Sequence, residues 1–145
     1  VLKESNYLEL MIKEYEKKGF CHHDYANHNV LIDRYNNINI IDFDYCMLDT
    51  HLHDLASLMI RVMKSGKWDK EKAEEIINNY STINPVKSEE LFIMKEFIRF
   101  PQAYWQLGIQ KYWEEQPWKE SVFIDRLKKY IEDREDREDF LKNFM

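Results

Sequence analysis

The sequence predicts a mainly helical α+β domain with one small β-hairpin embedded in it. Two short β-branched runs, 29–33 (NVLID) and 38–42 (INIID), flank the turn Arg34-Tyr35-Asn36-Asn37, and Asn-rich turn chemistry between such runs signals a hairpin. Beyond Asp42 the apolar residues recur at helical spacing for the rest of the chain. The 145 residues, 44% hydrophobic and 33% charged, suit one domain with its own core and exclude a disordered or fibrous chain.

Taken in order, 7–18 reads as a helix with Leu8, Met11, Ile12 and Tyr15 on one face, and Gly19, following two lysines, is placed to close it. The stretch 20–28 (FCHHDYANH) has neither helical nor strand period and reads as a loop. With the hairpin turn centred between Tyr35 and Asn36, opposed residue numbers sum to 71, so that Asp33 faces Ile38 and Asn29 faces Asp42. Further helices are predicted over 53–64, 70–80, 88–100, 102–115 and from 119 onward, with Pro85, Pro101 and Pro117 marking the breaks. In the closing EDREDRED run, Asp133 stands four residues before Arg137 and Arg134 four before Glu138, a spacing that predicts a solvated, ion-paired helix face.

Composition narrows the function. Lys and Arg number 21 against 27 Asp and Glu, a formal charge of -6, which disfavours nucleic-acid binding because that affinity rests on neutralising phosphates. Cys21 and Cys46 are too few for a disulfide framework, so no disulfide partner and a reducing compartment are expected. No apolar run approaches the roughly 20 residues that span a bilayer, and the front does not read as a signal peptide. Gly19, Gly66 and Gly108 are too scattered for a phosphate-cradling glycine loop.

The segment 22–54 carries the chemistry. Directly opposed residues on an antiparallel pair have Cβ atoms about 4.5–5.5 Å apart, so the predicted register sets the Asn29 amide beside the Asp42 carboxylate. Asp24 lies in the loop leading to the same end of the ribbon. Hard oxygen donors of this kind suit Mg²⁺, which keeps part of its octahedron for water and phosphate. One carboxylate could take a proton from a hydroxyl while the other groups hold a metal on a phosphate, the division of labour that phosphoryl transfer needs.

Here the sequence resembles a family. His22-His23-Asp24 followed by Asn29 fits the H-x-D-x-x-x-x-N catalytic loop of kinase-like phosphotransferases, and Ile41-Asp42-Phe43-Asp44 fits the D-F-G position in the D-F-D form of aminoglycoside and choline kinase relatives. Asp54-Leu55-Ala56 is similar to the D-L-A that follows in those enzymes. The run CHHDYANHNVLID…INIIDFDYC…HLHDLA resembles more narrowly the CotS-like spore coat proteins, kinase-fold members of sporulating bacteria. The match covers about residues 21–56.

The resemblance implies a kinase-like C-terminal lobe spanning 1–145, with the ATP-clamping N-terminal lobe preceding Val1 in a longer protein. It implies ATP and Mg²⁺ as cofactors, with Asp24 as catalytic base, His22 orienting the loop, Asn29 and Asp42 as magnesium ligands assisted by Asp44, and Asp54 holding the loop backbone. The implied partners are ATP and a hydroxyl substrate or spore coat proteins, and the implied location is the mother-cell cytoplasm and then the spore coat. Alone, the chain is expected to bind ATP weakly or not at all. The rival expectation is a structural coat component that keeps the fold without the chemistry. One departure stands inside the motif: His23 occupies a position where such enzymes usually carry glycine.

Other clusters in the sequence have competing readings. All five histidines, His22, His23, His28, His51 and His53, lie close to both cysteines, so zinc is conceivable, yet no C-x-x-C or H-E-x-x-H spacing supports it. The His23-Asp24 pair also fits HD phosphohydrolases, but those are all-helical and the hairpin argues against them. Phe100, Tyr104, Trp105, Tyr112, Trp113 and Trp118 are expected to pack in the core. The alternative is an aromatic wall for a cationic substrate, as in choline kinase relatives.

Overall fold

The computed structural model describes residues 7–144. Its elements in order are α1 (Tyr7–Glu16), β1 (Phe20–Cys21), a 3₁₀ turn (Asn27–Asn29), β2 (Val30–Ile32), β3 (Ile38–Ile40), β4 (Met47–Leu48), α2 (Leu52–Met63), α3 (Lys70–Ser81), α4 (Ser88–Arg99), α5 (Gln102–Tyr112) and α6 (Glu120–Asn143). The helices fall where the periodicity puts them, and α5 stops three residues short of the predicted Glu115.

The chain divides into two compact units. One comprises the chain up to Val62 together with Glu75–Ile98, the other Met63–Glu74 together with the chain from Arg99 on. The first unit holds the hairpin. In α2, Leu52, Leu55, Ala56 and Met59 are buried at i, i+3, i+4 and i+7, the apolar stripe that makes an amphipathic helix bury one face. Ile93, Met94 and Ile98 do the same for α4. At the end of α1 the left-handed residue is Lys18 (φ 55), not Gly19. A Cβ at Gly19 would lie 2.6 Å from Glu14 Oε2, the far end of a flexible side chain that can swing aside.

The hairpin differs from the predicted one by a single residue of register. Val30 pairs with Ile40, Leu31 with Asn39 and Ile32 with Ile38, so Asp33 does not face Ile38 and Asn29 does not face Asp42. The cause is Asp33, whose side chain builds the turn. Its Oδ1 accepts from Tyr35 N at 2.8 Å and Asn37 N at 2.9 Å, and its backbone N donates to Asn37 O at 3.0 Å. That side-chain mimicry of a turn recruits Asp33 into the loop and leaves an odd number of residues between the strands. Asn29 therefore lies across from Ile41, whose N–H donates to Asn29 O at 3.0 Å. Asp42 follows with φ 66, turning the chain out of the ladder.

The hairpin is also not the whole β content. Phe20 pairs with Leu48 and Cys21 with Met47 in a second antiparallel sheet, so part of the predicted loop 20–28 is strand. Strands of two residues show no alternation from which to read them. This short sheet brackets the hairpin and ties the loop's entry to the segment leading into α2.

In the second unit Met63, Ala73, Phe123, Phe140, Leu141 and Phe144 are buried, with Phe140 5.3 Å from the Trp68 ring and 5.0 Å from that of Phe144. Two expectations fail here. No residue of α5 is buried, and Tyr104, Trp105, Tyr112 and Trp113 are 56–87% exposed. These rings spread over about half the helix circumference, whereas α5 meets α6 through edge contacts: Arg126 with Gln110, Lys111 with Glu120 and Tyr104 with Tyr130. Trp118 alone of the group is sandwiched, with Phe123 at 5.5 Å and the Arg126 guanidinium 4.1 Å over its ring. The EDREDRED run is likewise no uniformly solvated face. Arg137 is buried, with Tyr130 OH as its hydrogen-bond partner, and Asp133 accepts from Ser65 N and Trp68 Nε1.

Candidate functional site

The loop between β1 and β2 is held from two sides. From α2, Asp54 Oδ2 accepts from His22 N at 2.6 Å and Oδ1 from His23 N at 3.0 Å. Asp54 stands in the first turn of its helix, where a carboxylate also suits the positive end of the helix dipole. Burial would raise its carboxyl, but the approach of His53 and the two backbone N–H donors outweigh that and hold it below the ordinary carboxylate value.

The second anchor is His22, which is buried. Asp24 N donates to His22 Nδ1 at 3.3 Å, so Nδ1 is the acceptor and Nε2 carries the proton donated to Ile41 O at 2.9 Å. One ring thus bridges the loop to the residue before Asp42, and it lies 4.8 Å from the ring of Phe43.

His23 explains its own departure from glycine. Its φ is 62, the left-handed conformation that glycine adopts without steric cost and other residues adopt only when held. Holding contacts are present: the imidazole stacks on His53 with centroids 4.1 Å apart, and Nε2 lies 3.0 Å from Asp49 Oδ2. Burial, with His53 alongside, pushes this imidazole below its ordinary value against the pull of Asp49 and Asp54.

These anchors bring Asp24 and Asn29 together. Asn29, buried at the end of the 3₁₀ turn, donates from Nδ2 to Asp24 O at 2.9 Å and to Asp24 Oδ2 at 3.2 Å. Both bonds use the nitrogen, so Oδ1 has no hydrogen-bond partner among the described residues. Asp42 and Asp44 follow β3 and are exposed. The Asn29 amide oxygen and the Asp42 and Asp44 carboxylates are hard oxygen donors, the ligand chemistry magnesium takes, but of Asp24, Asn29, Asp42 and Asp44 hydrogen bonds join only Asp24 and Asn29. Among the described residues no three His, Cys, Asp or Glu side chains are grouped to hold a metal ion. Cys21 donates to Thr50 O at 2.9 Å, and burial pushes its thiol up to about 12.

Sequence reasoning missed Arg61. Its Nη2 lies 2.8 Å from Asp24 Oδ1, with both side chains about 30% exposed. The signal available was its spacing: Arg61 follows Asp54 by seven residues, two turns along the same face of α2. A cavity of about 420 Å³ shares His22, Phe43 and Asp54 with this scaffold, and Asp24, Asn29, Asp42 and Asp44 do not line it.

Comparison with known proteins bears on the family and the fold. Residues 2–86 match the family described as APH, phosphotransferase enzyme family. In three dimensions the chain is similar to the crystal structure of an aminoglycoside phosphotransferase from Alicyclobacillus acidocaldarius, with a TM-score of 0.82 at 22% identity over 99% of this chain. The kinase-like, mainly helical fold with small sheets is shared. The chain spans 42% of the length of that structure's chain.

Proposed function

The chain belongs to the phosphotransferase enzyme family, and on that premise we propose that it forms the C-terminal lobe of a kinase-like domain transferring phosphate from ATP to a hydroxyl. The observation that carries this reading is the Asp24 carboxylate lying 3.2 Å from the Asn29 amide in a loop fixed by Asp54 and His22.

In this reading Asp24 takes the proton of the acceptor hydroxyl as that oxygen bonds to the γ-phosphorus and ADP departs with the electrons of the broken P–O bond. Asn29 Oδ1 and Asp42 would hold magnesium, with Asp44 assisting. Magnesium bound there would neutralise phosphate charge. Asp54 and His22 act through the loop: the first fixes its backbone, and the second keeps Asp24 in register with the end of β3. Most of the rate such a site supplies comes from positioning and charge neutralisation, which is what an anchored loop provides.

The finer assignment is to the CotS-like coat proteins, with a small molecule or coat component as acceptor and a path from the mother-cell cytoplasm to the spore coat. It rests on the run 21–56. A second reading, a coat component that keeps the fold without the chemistry, draws on one observation: both Asp24 carboxylate oxygens already have partners, Arg61 and Asn29.

The test takes the longer protein containing this chain and incubates it with labelled ATP, Mg²⁺ and spore-coat extract. Transfer that falls by at least about a thousandfold in Asp24→Ala and Asp42→Ala supports the enzyme. No transfer by wild type, with equal coat assembly by all three proteins, supports the scaffold.

A further inference from the structure

Resting on that phosphotransferase reading, we infer that Arg61 is a positioning residue: it clamps one oxygen of Asp24 and so assigns the other to the reaction. The clamp is built from α2. Arg61 Nη2 holds Asp24 Oδ1 at 2.8 Å, and Arg61 Nε lies 3.4 Å from Ser57 Oγ, one turn earlier on the same helix. Ser57 is buried, so the guanidinium is steadied along its length and not only at its tip. The same helix face therefore offers an acid to the loop's N–H groups and, two turns on, a base to the loop's carboxylate.

The two oxygens of Asp24 are left unequal. Oδ1 faces a permanent cation at charge-assisted distance. Oδ2 has the longer 3.2 Å contact with the uncharged donor Asn29 Nδ2, a weaker bond that an incoming hydroxyl can displace. The same Nδ2 also donates to the Asp24 carbonyl, so fixing Asp24 fixes which way the Asn29 amide lies and where its oxygen is offered. An exposed ion pair would be worth little. This one is partly buried, is tied to Ser57 and joins residues 37 apart in sequence.

The experiment has two arms. In the 145-residue chain, hydrogen exchange of the two Asn29 side-chain amide protons is followed by NMR in wild type, Arg61→Met and Arg61→Lys. Arg61→Met keeps the apolar stem and preserves packing. The proton facing Asp24 Oδ2 is expected to exchange about tenfold faster in Arg61→Met, while the one on the Asp24 carbonyl is unchanged. In the longer protein, Arg61→Met is expected to lower kcat about a hundredfold with KM for ATP within about twofold, and Arg61→Lys to recover part of the loss. Unchanged exchange at both protons overturns the inference, as does a raised KM for ATP with kcat intact. If wild type transfers no phosphate, the phosphotransferase reading falls, and the exchange arm alone decides whether Arg61 positions Asp24.

Discussion

His23 and His51 sit where a proton is unwelcome. Burial, with His53 alongside, pushes the His23 imidazole below its ordinary 6.5, outweighing Asp49 and Asp54. Burial likewise lowers His51, which stacks on Tyr80, against Glu90 and Glu14. Both groups have folded-state values below their unfolded ones, so below pH 6.5 the unfolded chain binds protons that the folded chain refuses. Stability should then be flat above that pH, fall as pH drops through and below it, and level off only once the folded-state imidazoles also protonate. Urea midpoints measured from pH 8 to pH 5 check this, and a midpoint that holds or rises on acidification contradicts it. The strained φ of His23 has the same origin as its low proton affinity, since the stacking and packing that hold the ring also exclude water from it.

At the scale of elements, α2 organises the site. Asp54 meets two loop N–H groups from its first turn and is less than a quarter exposed. Removing it orphans both donors. Asp54→Ala should therefore cost about 2–3 kcal/mol, read from urea denaturation with an unchanged m-value, and a loss under 0.5 kcal/mol would deny it this anchoring role. Much of this level was legible beforehand. The helix positions followed from apolar spacing and prolines, and the hairpin from its β-branched runs and Asn-rich turn. What escaped has specific causes. The register slipped because Asp33 uses its side chain as turn backbone, a choice between loop and strand that the letters NVLID leave open. The β1–β4 sheet escaped because two-residue strands have no period. Arg61 escaped because its partner is 37 residues away and only the fold brings them together.

At the scale of the whole chain, the hairpin region of the first unit presents exposed apolar side chains, with Ile32 and Ile38 opposed across its strands. Ile32, Ile38, Tyr45 and Met47 are each more than half exposed, and Phe43 nearly so. Exposed apolar patches of this kind mark places where something binds. If the ATP-clamping lobe proposed above lies against this face in the longer protein, the 145-residue chain should enhance anilinonaphthalene sulfonate fluorescence several-fold more per mole than the longer protein does. Equal enhancement would remove that lobe from the face. The aromatic residues of α5 show where composition misleads at this scale: a dense stripe of Trp and Tyr reads as core, yet its burial depends on neighbours that its own segment does not specify. The bracket formed by Asp54 and Arg61 has a practical corollary for anyone making chimaeras. The loop is not a modular cassette, because two of its clasps are contributed by a helix some thirty residues downstream. The smallest graft that carries this loop geometry into another scaffold is the loop, the hairpin through Ile41 and α2 transplanted together.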